Sequence, residues 1–145
     1  MVIKMLPQQV SNSWEYIRHG IEATKPAMLK LTDEGYRNIL KNLLVGNLQC
    51  WAIVEPSEED SFYGFFLTTI AEDYVSGTRF LNVYDLFSFK PFKPGTFEEC
   101  VAVGVEFAKA NKCSTITAYS DIPTIISLAK KCGFKTDCIY MTMEV

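Results

Sequence analysis

Asp85 lies in the run "TRFLNVYDLFSF", the one carboxylate in a strand-like segment of mainly apolar residues. Strand alternation predicts that Asp85 shares a face with Leu81, Val83, Phe87 and Phe89. A carboxyl group among apolar neighbours has its pKa raised by desolvation, which suits a base that works near neutral pH. The same residue also fits a structural role, at a strand bulge, capping an amide or pairing with a lysine.

A second constellation follows at once in "SFKPFKPGTFEEC". Proline cannot donate to a sheet ladder, so the strand should end near Pro91. Thr96 then opens a helix, with Glu99 placed for a capping box. Lys90, Lys93, Gly95 and Thr96 make this a basic, glycine-containing turn into a helix, the type of loop that binds phosphate. Glu98 and Glu99 oppose that use, because carboxylates in the first turn already complement the helix dipole. The loop is therefore either an anion site or a well-capped corner.

Other reactive residue types are sparse. His19 is the single histidine and the five cysteines form no CxxC pair, which argues against a zinc site or a Cys-His hydrolase. The cysteines (Cys50, Cys100, Cys113, Cys132, Cys138) read as reduced, buried core residues of a cytoplasmic protein. Glu72 and Asp73 would attract a cation or simply form a solvated turn, and His19 reads as a surface histidine.

Positioning these groups requires a folded scaffold. The chain has 145 residues, 48% of them hydrophobic, with no repeat or linker, and reads as one domain over 1–145. A net charge of -3 argues against broad binding to nucleic acid or anionic membrane. No apolar run approaches the roughly 20 residues that span a bilayer, and "MVIKMLPQQV" has no signal-peptide features.

The elements alternate along the chain. "VIKML" predicts a first strand ending at Pro7. "SNSWEYIRHGIEA" predicts a helix with Asn12 and Glu15 as a cap pair and Trp14, Ile17 and Ile21 on its apolar face. A second helix starts at Thr32, carries Tyr36, Ile39, Leu40, Leu43 and Leu44 inward, and stops at Gly46-Asn47. "LQCWAIVE", "FYGFFLTTI" and "TRFLNVYDLFSF" predict an antiparallel meander. A helix from Thr96 to about Lys112, the strand "STITAYS" and a helix from Pro123 to Cys132 follow, with Gly133 just past its end. The final "IYMTMEV" aligns Ile139, Met141, Met143 and Val145 on one face and predicts a last core strand. The sum is α/β: a mixed, mainly antiparallel sheet flanked by helices. The helix between "VYDLFSF" and "ITAYS" allows a right-handed crossover, which makes those strands parallel and places a ligand cleft between them.

Over essentially the whole chain this order resembles the GNAT superfamily of acyl-CoA-dependent N-acetyltransferases. "WAIVEPSEEDSFYGFFL" is similar to the family's second and third strands, with Gly64 after the turn. "DLFSFKPFKPGTFEECVAVGVEFA" is similar to its fourth strand, phosphate loop and third helix. "ITAYSDIPTIISLAKKCGFK" is similar to its fifth strand and fourth helix, ending in Gly133-Phe134.

The resemblance implies splayed fourth and fifth strands with acetyl-CoA between them. Pantetheine would be held by Phe87, Ser88 and Phe89, and the pyrophosphate by Lys90, Lys93, Gly95 and Thr96. Asp85 would be the base for direct attack of an amine on the thioester, with no covalent enzyme intermediate. The family's loop, Gln/Arg-x-x-Gly-x-Gly/Ala, is altered here, since Lys93 replaces the middle glycine and Pro94 removes an amide. The family's helix tyrosine and asparagine fall on Ala129 and Ile122, leaving Tyr119 or Tyr140 as substitutes. The expected partner is a small-molecule or protein amine, and a homodimer is allowed for. The alternative function is a non-catalytic GNAT-like structural or interaction module of the kind some bacteriophage virion proteins resemble.

Overall fold

Six of the seven residues from Leu48 to Val54 are buried, as expected for a strand covered on both faces. In the computed structural model, which describes residues 1–24 and 31–145, this strand is second in a five-stranded sheet. The chain runs β1 (Val2–Lys4), α1 (Pro7–Asn12), α2 (Trp14–Thr24), α3 (Asp33–Val45), β2 (Leu48–Val54), β3 (Phe62–Asp73), β4 (Thr78–Ser88), α4 (Thr96–Ala110), β5 (Thr115–Ala118) and α5 (Pro123–Lys131). The strands lie in sequence order; the first four are antiparallel, and β5 is parallel to β4. The mixed, mainly antiparallel sheet read from the sequence is therefore the observed one.

Two apolar layers hold the helices on the sheet. On one face Val10, Ile17, Ile21, Tyr36, Ile39 and Leu43 from α1 to α3 pack on Cys50, Phe65 and Leu67. On the other, Cys100, Val103 and Phe107 of α4 pack on Trp51, Ile53 and Phe66. Polar groups within this core are paired: Thr68 Oγ1 accepts from Trp51 Nε1 at 2.8 Å and donates to Gln49 Oε1 at 3.0 Å. Gly64 permits the close approach of β3 to β4, because a Cβ there would overlap the Phe87 carbonyl oxygen.

Local signals were obeyed unevenly. Thr32 caps α3 by accepting from the Gly35 amide at 3.2 Å, and Gly46 ends it in the left-handed region at φ 84°. Gly133 closes α5 in the same way at φ 97°, with the Phe134 amide donating to the Ala129 carbonyl at 3.1 Å. The predicted first helix is instead two helices. Asn12 belongs to α1, where it accepts from Gln8 rather than capping with Glu15.

The capping box at Thr96 is also not formed. Gly95, at φ 86°, is the residue before α4, while Glu99 reaches back to the Val2 amide at 3.0 Å and the N-terminal ammonium at 3.4 Å. Cys50 and Cys100 are buried as expected, but Cys113 and Cys132 are half-buried and Cys138 is exposed.

The largest correction concerns the C-terminus. Residues 134–145 form no helix or strand, and Ile139, Met141, Met143 and Val145 are exposed rather than core. Their alternation is strand-like, but they are not part of the sheet. Among the described residues, no helix is long and apolar enough to cross a membrane.

Candidate functional site

The site residues converge at the C-terminal end of β4. Pairing with β5 covers Phe80 to Val83 and stops at the Val83–Ala118 pair, whereas β4 continues to Ser88. From Tyr84 onward no strand among the described residues pairs with the outer edge of β4, as the predicted splay requires. The parallel strands and their opening match expectation.

A β-bulge sits where the opening begins. Leu67 faces Asp85 and Thr68 faces Val83, so Tyr84 is an extra residue without a partner on β3. The bulge reverses the alternation. Leu81 and Val83 pair with Ile70 and Thr68, whereas Asp85 and Phe87 pair with Leu67 and Phe65 on the face of the first three helices. The expectation that Asp85 shares a face with Leu81 and Val83 is corrected; it shares one with Phe87 and Phe89.

Helix α2 lies antiparallel along this face in three contacts. Tyr16 meets Phe89 edge-on at 6.1 Å, His19 meets Phe87 at 6.0 Å, and Thr24 Oγ1 donates to Asp85 Oδ2 at 3.0 Å. Gly20 allows the approach, since a Cβ there would overlap the Phe65 ring and lie 2.8 Å from Phe87. His19 is an exposed histidine, as read, but one that flanks the site.

Asp85 is 8% exposed. Burial pushes its carboxyl up to about 6, against the opposing pull of hydrogen bonds from Thr24 and the Leu86 amide. The latter donates to Asp85 Oδ1 at 2.9 Å. Among the described residues each carboxylate oxygen thus has one donor. Tyr84, beside it, has its pKa raised by burial and by the Asp85 charge, so its hydroxyl stays protonated near neutrality.

The backbone of the open edge alternates too. The Phe89 amide donates to the Tyr63 carbonyl at 2.8 Å, so Phe89 and Phe87 direct their polar groups toward β3. Ser88 and the Leu86 carbonyl face the opening. Phe87 and Phe89 contribute rings to the helix-side wall, their centroids 4.9 Å apart.

The loop after β4 is held in a way the sequence did not announce. Lys93 Nζ lies 3.0 Å from both Glu55 Oε2 and Glu58 Oε1, and Lys90 Nζ lies 3.1 Å from Asp60 Oδ2. Both ammonium groups stand over the Tyr63 ring, whose hydroxyl donates to Glu58. Hydrogen bonds that Lys93 donates to Glu58 and Glu55 raise its pKa, and Lys93 in turn holds both carboxyls below their usual range. The acidic β2–β3 turn thus occupies the charges expected to meet a phosphate.

At the start of α4, the Thr96 amide donates to Lys93 and the Glu99 amide to Gly95. The amides of Phe97 and Glu98 have no acceptor among the described residues. This is an exposed helix N-terminus with two free donors.

The remaining candidates are placed as follows. Asp73 accepts from Ser76 Oγ at 2.8 Å and from the Val75 amide, organising the β3–β4 turn. Tyr119, directly after β5, meets Tyr140 edge-on at 4.8 Å, and both are exposed. Ile122 precedes α5 without a side-chain cap, and Ala129 offers no polar group. Thr24, Tyr84, Glu55, Glu58 and Asp60 were missed. "PSEEDS" was visible as an acidic turn, but its lysine partners lie 30 or more residues away.

No family profile matches the sequence, and neither does any curated protein. Solved structures match along the full chain. A protein described as a probable acetyltransferase superposes with TM-score 0.76 at 11% identity, covering 100% of this chain and 96% of the other. AAC(6')-Iy, solved with a CoA-containing bisubstrate analogue, gives 0.72 at 16% identity, covering 100% and 97%. A protein described as a transcriptional regulator from Bacillus halodurans gives 0.75 at 15%, covering 100% and 99%. At such identities the likeness is one of fold, and the fold is that of the GNAT superfamily.

Proposed function

We propose that the protein is an acetyl-CoA-dependent N-acetyltransferase acting on an amine, and that Asp85 is its base. The observation that carries this reading is a buried carboxyl with pKa near 6 at the bulge where β4 parts from β5. Structural carboxylates are usually paired with a cation. Among the described residues Asp85 has two donors and no cation, the Thr24 hydroxyl and the Leu86 amide.

Acetyl-CoA supplies the activated acyl group. Ser88 and the Leu86 carbonyl present polar groups along the opening that fit the pantetheine amides, and the Phe87 and Phe89 rings wall its helix side. The Phe97 and Glu98 amides, after the Gly95 turn and Thr96, fit a pyrophosphate. Lys90 and Lys93 serve it as far as they are released from the acidic turn. Asp85 takes the proton lost by the ammonium as the C–N bond forms and the C–S bond breaks; the thiolate takes a proton from solvent or a nearby hydroxyl. Tyr84, next to Asp85, and Tyr119, directly after β5, are the candidates for that hydroxyl.

A second reading, a non-catalytic module on the same fold, is favoured by the neutralised lysines together with Ala129 and Ile122. The two separate in one assay: CoA thiol release from acetyl-CoA with a panel of primary amines. Under our reading Asp85→Asn lowers turnover by about 10²–10⁴-fold while CoA affinity is retained. Turnover of the folded variant equal to the parent's removes Asp85 from the mechanism, and no turnover with any amine favours the module.

A further inference from the structure

The sheet face beneath the first three helices changes character at its β4–β5 end. Its buried core draws on β2 and β3, with Tyr84, Phe87 and Phe89 packed against it, and takes no residue from β5. Asn82 alternates with Leu81 and Val83 and so lies on this face, beside Thr69 of β3 and Thr117 of β5. Thr117 Oγ1 donates to Asn82 Oδ1 at 3.0 Å, which puts both side chains on one face. Ile116 points the other way, toward Gly104 of α4. Carried one step past β5, the alternation brings Tyr119 to the Thr117 face, across the opening from Tyr84. The Tyr140 ring packs edge-on against it.

Asn82, Thr117 and Tyr119 thus form a polar strip that runs up to the Asp85 carboxyl. Asn82 and Thr117 are half-buried, and Tyr119 is 55% exposed. Among the described residues the Asn82 amide nitrogen has no acceptor, and no buried side-chain nitrogen or oxygen lacks a partner. That nitrogen is therefore within reach of solvent or a ligand. The strip itself carries no charge. An acceptor with a carboxylate would need a cation here and a polyamine would need further carboxylates; the strip supplies neither. Amide and hydroxyl groups donate and accept, which matches a hydroxyl on the ligand.

We propose that Asn82, Thr117 and Tyr119 are the acceptor subsite beside Asp85, selecting a small primary amine that carries a hydroxyl group near its nitrogen. The inference rests on the acetyl-transfer reading above. A strand rises about 3.3 Å per residue, so Asn82 lies roughly 7–10 Å along β4 from Asp85. Two hydrogen bonds of about 3 Å and a spacer of two or three carbons cover that gap. The ammonium then meets Asp85 while the hydroxyl meets Asn82 and Thr117.

The test compares 2-aminoethanol with n-propylamine, a hydroxyl in place of a methyl, as acceptors with the full chain and acetyl-CoA. We expect kcat/KM for 2-aminoethanol to be at least about tenfold higher, mainly through KM. Asn82→Val and Thr117→Val should each cut that ratio at least about threefold, a change in selectivity that lost folding does not produce. A ratio near one in the parent overturns the proposal, leaves acetyl transfer standing and needs no variant to fold. A ratio that survives both substitutions overturns it as well. If neither amine turns over, NMR titration read at the Asn82 side-chain amide decides. A shift with 2-aminoethanol and none with n-propylamine supports the subsite; equal or absent shifts overturn it.

Discussion

Thr24, the last residue of α2, donates to Asp85 Oδ2 across 3.0 Å and so ties the helix end to the bulge of β4. The bond stabilises the charged carboxylate, and burial works against it. Thr24→Val removes the donor at nearly constant volume. Asp85 should then titrate higher, moving the acid limb of the pH–rate profile for amine acetylation up by about one pH unit. An unmoved limb would mean that Asp85 does not set the profile.

The same carboxyl makes a stability prediction that needs no substrate. Its pKa is raised in the folded chain, from the ordinary 3.8 to about 6. Below the ordinary value it is protonated in folded and unfolded chains alike. As pH rises through about 6, the fold must hold a desolvated charge, and stability falls. Asp85→Asn should therefore gain stability over the parent as pH rises from 4 to 7, by on the order of 2–3 kcal/mol at the upper end. Urea unfolding at both pH values checks this; a variant that loses stability at pH 7 would mark the carboxylate as structural.

Glu58 contacts Lys93 at 3.0 Å, Lys90 at 3.9 Å and the Tyr63 hydroxyl. An incoming pyrophosphate competes with it for both lysines. Glu58→Gln keeps an acceptor for Tyr63 and removes the charge, so CoA should bind about two- to fivefold tighter at low salt. Affinity unchanged in calorimetry would take the lysines out of the binding site.

The mixed sheet, its antiparallel meander and the parallel β4–β5 pair were legible because they rest on local periodicity and on turn residues such as Gly46 and Gly133. Asp85 was also legible, as a carboxylate among apolar residues, but its face was not. One inserted residue, Tyr84, reverses the alternation, and no residue type announces a bulge there. The pairing of Lys90 and Lys93 with Glu55, Glu58 and Asp60 is a contact between two distant turns, invisible to any window along the chain. Thr96 and Glu99 had the spacing of a capping box, but Glu99 found the N-terminus of β1 instead. The segment "IYMTMEV" had the pattern of a core strand, but periodicity alone does not place a segment in the sheet.

The central claim is that the opening of β4 and the start of α4 hold an acyl-CoA. Titrating CoA and dephosphorylated pantetheine by calorimetry at low and moderate ionic strength tests it most directly. The account predicts measurable CoA binding at low salt that weakens steeply as salt rises. It also predicts that Lys90→Ala with Lys93→Ala weakens CoA more than pantetheine, because the lysines meet only the phosphates. Folded protein that shows no heat with CoA at low salt would contradict the account and leave the loop a structural corner.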